Sequence, residues 1–197
     1  MFERYTESAR RALFFSRYEV TLVGATSIEP EHLLVGVARA AAGGTARILE
    51  RAGLSADVIR RELEFVDAPF GKVPTSQEVP FTPATQRVLR FTAQESDTLA
   101  HTFIGVEHLL LGLLRDGRSG AAAILERHGL NLSTVRDAVK AFSAGGDEPV
   151  GDLVLEIGQI QASVDALASL SADSGEARDL RRRIRERLEN LKRQFRG

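Results

Sequence analysis

Glu31-His32-Leu33-Leu34-Val35-Gly36 returns 76 positions later as Glu107-His108-Leu109-Leu110-Leu111-Gly112. Around this pair the correspondence extends in both directions without a gap. Ile48-Leu49-Glu50-Arg51-Ala52-Gly53-Leu54 returns as Ile124-Leu125-Glu126-Arg127-His128-Gly129-Leu130 at the same offset. Thr6, Arg11, Leu13 and Phe15 match Thr82, Arg87, Leu89 and Phe91. Residues 6–60 laid on 82–136 give 22 identities in 55 positions, far above chance, so the chain contains a duplication.

Each copy reads as four short helices. Thr82-Pro83 is a threonine N-cap followed by proline at the first helical position, and Thr6 takes the same place in copy one. Leu13, Phe14 and Val20 follow at helical spacing. The second helix carries the Glu-His-Leu-Leu motif, opened by Pro30 in copy one. The third ends at Gly53 or Gly129, each placed as a left-handed C-terminal cap. Ser55 and Asn131 then stand where a fourth helix needs an N-cap. Strand-like alternation is absent, so the fold class is all-α.

The domain limits follow from the repeat. Copy one spans 1–66 and copy two 78–142, together a double repeat over 1–143. Three prolines (Pro69, Pro74, Pro80) with Gly71 make 67–80 the loop between copies, and 144–151 read as a linker containing Gly145-Gly146. Beyond it, Leu153, Ile157, Ile160, Val164 and Leu167 step by 4, 3, 4, 3. Leu180, Ile184, Leu188, Leu191 and Phe195 step by 4, 4, 3, 4. Both are narrow coiled-coil-type seams. Residues 152–175 carry a charge of -4 and 176–197 a charge of +5, which favours an antiparallel helical hairpin over 152–197, closed within one chain or between chains as a homodimer.

Bulk composition limits the chemistry. The 197 residues are 43% hydrophobic and 27% charged with a net charge of -1, the balance of a soluble globular protein with no global field for nucleic acid or an anionic membrane. There is no cysteine, which removes disulfides, thiol catalysis and thiolate zinc sites. No apolar run is long enough to span a membrane and the N-terminus lacks the apolar core of a secretion signal, so the expected compartment is the cytoplasm.

Met1-Phe2-Glu3-Arg4-Tyr5-Thr6 with Ile28-x-x-Glu31-His32-Leu33-Leu34-x-Gly36 closely resembles the N-terminal domain of Clp chaperones, especially the ClpC branch. Val79-Pro80-Phe81-Thr82-Pro83 with Ile104-Gly105-Val106-Glu107-His108-Leu109-Leu110-Leu111-Gly112 resembles it again, so the likeness covers about residues 1–143. It implies two pseudo-twofold four-helix repeats; the chaperones of that family continue into ATPase modules, and the expectation here departs from them as a stand-alone version without those modules. The Gly-x-x-x-x-Gly-Lys-Ser/Thr phosphate loop is absent from the sequence, and no cofactor is expected.

The resemblance also implies site residues. Glu31 and Glu107, with Thr6, Thr82 and Gly105, match positions that in ClpC relatives form two phosphoarginine or peptide pockets. A carboxylate takes a guanidinium in fork geometry, and helix N-terminal N–H groups hold phosphate. The same glutamates also lie in the first turn of a helix, where a carboxylate favours the dipole. The family's Gly-Thr before the glutamate is Glu29-Pro30 in copy one, while copy two keeps Gly105 before Val106. Phe2, Arg10 and Phe81 match positions lining a hydrophobic groove that docks cyclic-peptide antibiotics in relatives, where Gln86 replaces a lysine.

His32 and His108 read as structural residues bonding backbone groups, with no metal and no catalytic partner at a suitable spacing. The arginine run Arg181-Arg182-Arg183 reads as a solvated helix face rather than a nucleic-acid grip. The expected function is a non-enzymatic protein-binding module acting with Clp ATPase or protease subunits, adaptors or client proteins. Alternatives are a domain sequestering toxic peptides and a nucleic-acid-linked regulator working through the basic helix.

Overall fold

The structure is a computed structural model that describes residues 3–65, 79–143, 160, 164, 167 and 175–194. The inter-copy loop apart from Val79 and Pro80, the linker 144–151 and most of 151–174 lie outside the described residues. Copy one supplies α1 (Glu7–Val23), α2 (Pro30–Ala40), α3 (Gly43–Arg51) and α4 (Ala56–Glu62). Copy two supplies α5 (Pro83–Thr98), α6 (Val106–Asp116), α7 (Gly120–Arg127) and α8 (Leu132–Ser143), and α9 spans Gly175–Gln194. The chain forms two compact units, residues 1–128 and 129–197.

The helix boundaries follow from local chemistry. Thr6 and Thr82 accept the N–H groups of Ala9 and Thr85 at 3.2 and 3.3 Å, capping α1 and α5. Ser55, Ser119 and Asn131 do the same for Val58, Ala122 and Thr134. Pro30 and Pro83 occupy first-turn positions where the missing N–H costs nothing. Gly53 and Gly129 follow α3 and α7 with φ of +70° and +78°, a conformation glycine adopts without the Cβ penalty.

The core of unit 1 is built on the repeated motif. Leu33, Leu34, Val35 and Val37 of α2, and Leu109, Leu110, Leu111 and Leu113 of α6, are inaccessible to solvent. α2 packs on both α1 and α6, and α6 packs on α5. A Cβ at Gly36 would collide with the Ala12 carbonyl and Ser16, and one at Gly112 would lie 2.8 Å from the Val88 carbonyl. The glycine of the motif therefore lets the second helix of each copy meet the backbone of the first.

Two single-residue β-bridges tie the copies together, Tyr5 with Ile104 and Ile28 with Phe81. Thr6 N–H donates to Ile104 O at 2.9 Å and Ile104 N–H to Arg4 O at 2.8 Å. Ile28 N–H donates to Pro80 O at 2.8 Å and Thr82 N–H to Ile28 O at 3.2 Å. The segment before the first helix of each copy thus pairs with the segment before the second helix of the other. No strand beyond these bridges occurs among the described residues.

Buried charge is repeated as well. Glu19 and Glu95, both fully buried, pair with Arg39 at 2.7 Å and Arg115 at 2.9 Å, and Arg60 also contacts Glu19. All four partners of the first two pairs fall among the offset-76 identities. Asp116, also buried, pairs with Arg87 at 2.5 Å. Leu110→Ala, which removes a fully buried side chain of α6, is expected to cost ~2–5 kcal/mol in urea unfolding. A variant that unfolds with the parent's midpoint would place Leu110 outside the core.

Candidate functional site

α1 presents Arg10, Leu13, Phe14 and Arg17 along one face, at steps of 3, 1 and 3. The Ile28–Phe81 bridge lays Val79, Pro80 and Phe81 beside that face. Together these residues and Ile28 line a groove of about 890 Å³. Arg10 and Phe81, two of the expected groove residues, are brought together here, while Phe2 lies outside the described residues. Gln86 Nε2 donates to the Phe81 carbonyl at 3.1 Å and so fixes one wall.

Phe14 is the groove residue that sequence periodicity does not single out. It stands at helical spacing with Leu13 and Val20, yet Val20 is fully buried and Phe14 is 64% exposed. Its counterpart at offset 76 is Arg90, and those of Arg10, Pro80 and Phe81 are Gln86, Arg4 and Tyr5. At the matching positions Leu13 and Ile28 recur as Leu89 and Ile104, whereas Phe14, Val79 and Pro80 correspond to the charged Arg90, Glu3 and Arg4.

The two motif glutamates differ in their surroundings. Glu31 Oε1 accepts the Ala121 N–H at 3.2 Å, in the first turn of α7. Copy one thereby supplies a carboxylate to a helix N-terminus of copy two, which the helix dipole favours. Glu107 instead folds back over Gly105, where a Cβ would strike its carboxylate, and lies 3.1 Å from His108 Nδ1. Burial pushes the Glu107 carboxyl up, but the His108 ring beside it and its own backbone N–H outweigh that, and the net direction is down. Among the remaining expected residues, Thr6 and Thr82 serve as N-caps. Thr82 Oγ1 also lies 3.1 Å from Glu29 Oε2, so the glutamate that replaces glycine in copy one places its carboxylate at this cap.

Both motif histidines bond a backbone group. His32 Nδ1 accepts the Glu29 N–H at 3.1 Å, and His108 Nδ1 accepts the Gly105 N–H at 2.9 Å, each closing the first turn of its helix. With Nδ1 an acceptor, the His108 proton belongs on Nε2, which faces His101 Nδ1 at 2.9 Å. His101, Glu107 and His108 are the one group among the described residues with metal-ligand spacing. Both nitrogens of His108 are engaged in these hydrogen bonds and offer no free lone pair to a metal. His32 has no counterpart of His101, since position 25 is alanine, and its Nε2 is buried without a partner. Burial lowers the His32 pKa to about 4.

The fold and these sites define an all-helical tandem-repeat module with an exposed, largely apolar groove. A family model described as the Clp repeat (R) N-terminal domain matches residues 4–128 and 94–184. The chain belongs to this family. It is 34% identical over 173 residues to the chaperone protein ClpB of Oceanobacillus iheyensis, covering 88% of this chain and 21% of that protein. It is also 34% identical over 139 residues to the negative regulator of genetic competence ClpC/MecB of Bacillus subtilis, covering 71% and 17%. The chain thus spans about a fifth of the length of these relatives. Among solved structures, the N-terminal domain of the Clp-associated chaperone ClpD from Arabidopsis thaliana superposes with a TM-score of 0.56 at 25% identity, over 74% of this chain and 97% of that one. The Hsp104 N-terminal domain of Candida albicans shares the fold, with a TM-score of 0.53 at 16% identity over 74% and 94%. No helix among the described residues is long and apolar enough to cross a membrane.

The depressed His32 pKa has a sign. The folded protein holds His32 neutral down to about pH 4, whereas the unfolded chain protonates it near its ordinary value of 6.5. Stability is therefore fully present above pH 6.5 and falls between 6.5 and 4, with a slope of at most about 1.4 kcal/mol per pH unit from this group. His32→Gln, which retains an acceptor for the Glu29 N–H, is expected to flatten that part of the urea-stability profile. A variant with an unchanged profile would remove His32 as the cause.

Proposed function

We propose that the chain is a non-enzymatic peptide-binding module that recognises client proteins or adaptors of a Clp ATPase–protease, as accessory to that machine or competitor of its own N-terminal domain. The observation that carries this reading is the groove lined by Arg10, Leu13, Phe14, Arg17, Ile28, Val79, Pro80 and Phe81. An open cleft with an aromatic side chain 64% exposed has the composition of a surface that takes apolar side chains of an extended or helical segment. The two arginines at its lining suit peptides with acidic residues beside the apolar ones. The cytoplasm is the compartment this reading implies, and cyclic peptides with apolar side chains are candidate ligands of the same groove.

A second reading, phosphoarginine recognition, is favoured by the asymmetry of the two glutamates. In copy one Glu31 is engaged with the Ala121 N–H and Glu29 adds a carboxylate at Thr82. In copy two Gly105 stands where Glu29 does, which leaves out that second carboxylate, while Glu107 is half-exposed as Glu31 is. Copy two, with Glu107, Gly105 and Thr6, is therefore the site assigned to the modified side chain.

Both readings are separable by titration. A fluorescent apolar peptide with flanking acidic residues is expected to bind, and Phe14→Glu or Phe81→Ala to weaken it at least ~10-fold, about 1.4 kcal/mol. Equal affinity in parent and both variants would remove the groove from function. Free phosphoarginine titrated into isotope-labelled protein is expected to shift amides around Gly105 and Glu107, with Glu107→Ala losing the response and Glu31→Ala keeping it. Equal loss in both variants contradicts the asymmetry.

A further inference from the structure

Along α1 the groove is lined by Arg10, Leu13, Phe14 and Arg17, which stand at i, i+3, i+4 and i+7 and so share one face of the helix. The arginines end this row and the apolar residues lie between them. At a rise of ~1.5 Å per residue, the two arginine positions are ~10.5 Å apart along the helix. The described residues that line the groove include these two arginines and no aspartate or glutamate. An occupant therefore meets positive charge at two points a fixed distance apart.

The duplication separates what the fold needs on this face from what it does not. Leu13 recurs as Leu89 and the buried Ile28 as Ile104. Arg10, Phe14 and Arg17 instead correspond to Gln86, Arg90 and Ala93, and α5 forms with those residues in place. The first helix of a copy thus folds without either arginine and without the aromatic ring. In copy one Arg10 and Phe14 are exposed and Arg17 is half-exposed, within reach of a ligand.

The spacing also decides the conformation of that ligand. In an extended segment, side chains two or four residues apart share a face, but they span ~6.6 or ~13 Å. Three residues cover ~10 Å, and those side chains leave opposite faces, so only one of two carboxylates would face α1. In a helix, seven residues cover ~10.5 Å, and i and i+7 share a face with i+3 and i+4 between them. Such a helix beside α1 sets a carboxylate at each arginine and apolar side chains at Leu13 and Phe14. The pattern is the same read in either direction, so a parallel and an antiparallel helix present it equally.

We propose that the groove selects an amphipathic helix with carboxylates at i and i+7 and large apolar side chains at i+3 and i+4. This rests on the peptide-binding reading and narrows it to one class of segment.

Fluorescence anisotropy with the full chain and three labelled peptides of equal length tests it. The first has Glu at i and i+7 and Leu at i+3 and i+4 on an alanine–glutamine helix. The second moves both glutamates one position along, off the leucine face, and is equally helical by circular dichroism. The third places proline at the centre of the first, which breaks the helix. The first is expected to bind ~10-fold tighter than either of the others. Arg10→Gln and Arg17→Ala, which install the residues of copy two, are each expected to weaken the first peptide ~3-fold and to leave the second unchanged. The double variant is expected to keep the parent's thermal transition. Raising sodium chloride from about 0.1 M to about 1 M is expected to narrow the gap between the first two peptides. Equal binding of all three overturns the helix and its charge spacing while leaving the groove a peptide site. So does a proline peptide that binds like the first, or a double variant that binds the first like the parent. No binding by any of the three removes the peptide-binding reading itself, and this inference with it.

Discussion

The groove depends on a pair of crossed backbone bridges. Each uses one residue from the segment before a first helix and one from the segment before the other copy's second helix. Four N–H···O bonds of 2.8–3.2 Å hold them. A single-residue bridge has little pairing of its own, so its register comes from the helices on either side. Thr6 and Thr82 close α1 and α5 immediately after the bridge residues Tyr5 and Phe81. The same connection that locks copy two onto copy one delivers Val79, Pro80 and Phe81 to the face of α1. Cohesion and the cleft are therefore one structural fact.

Duplication explains what the two halves share, and divergence explains the site. The shared part is interior: the leucines of α2 and α6, the close-approach glycines, and the ion pairs Glu19–Arg39 and Glu95–Arg115. A buried carboxylate that loses its partner is strongly destabilising, which gives a reason for both members to persist in both copies. The divergent part is exposed or half-exposed in at least one of the two copies. Phe14 and Phe81 face Arg90 and Tyr5 across the repeat, Glu29 faces Gly105, and Ala25 faces His101. His101 alters its neighbourhood by giving His108 Nε2 an acceptor that His32 lacks.

Much of the fold could be read from residue order. The offset of 76, the capping threonines, Ser55, Asn131 and the left-handed glycines each follow from local rules, and each is found where those rules place it. The bridges could not be read, because alternation needs several residues and each bridge has one. The exposure of Phe14 was equally hidden, since helical spacing gives the period of a face and not which face is covered. The motif histidines were readable as backbone partners because the same residue recurs at one helix position in each copy. The orientation of Glu107 was not, since it depends on His108 and Gly105 in three dimensions. Arg10 and Phe81 lie together in the cleft, whereas Phe2 and most of residues 151–174 fall outside the described residues.

The most direct measurement of the central claim is amide hydrogen exchange at Thr6, Ile28, Thr82 and Ile104 in the native protein. If the crossed bridges bind the copies into one unit, these four amides exchange with the slowest group, alongside Leu34 and Leu110, through global unfolding. Exchange of Ile28 and Thr82 at loop rates, while the helical cores stay protected, would show that the bridges open locally. The copies would then be joined by helix packing alone, and the cleft would not be a fixed feature of the fold.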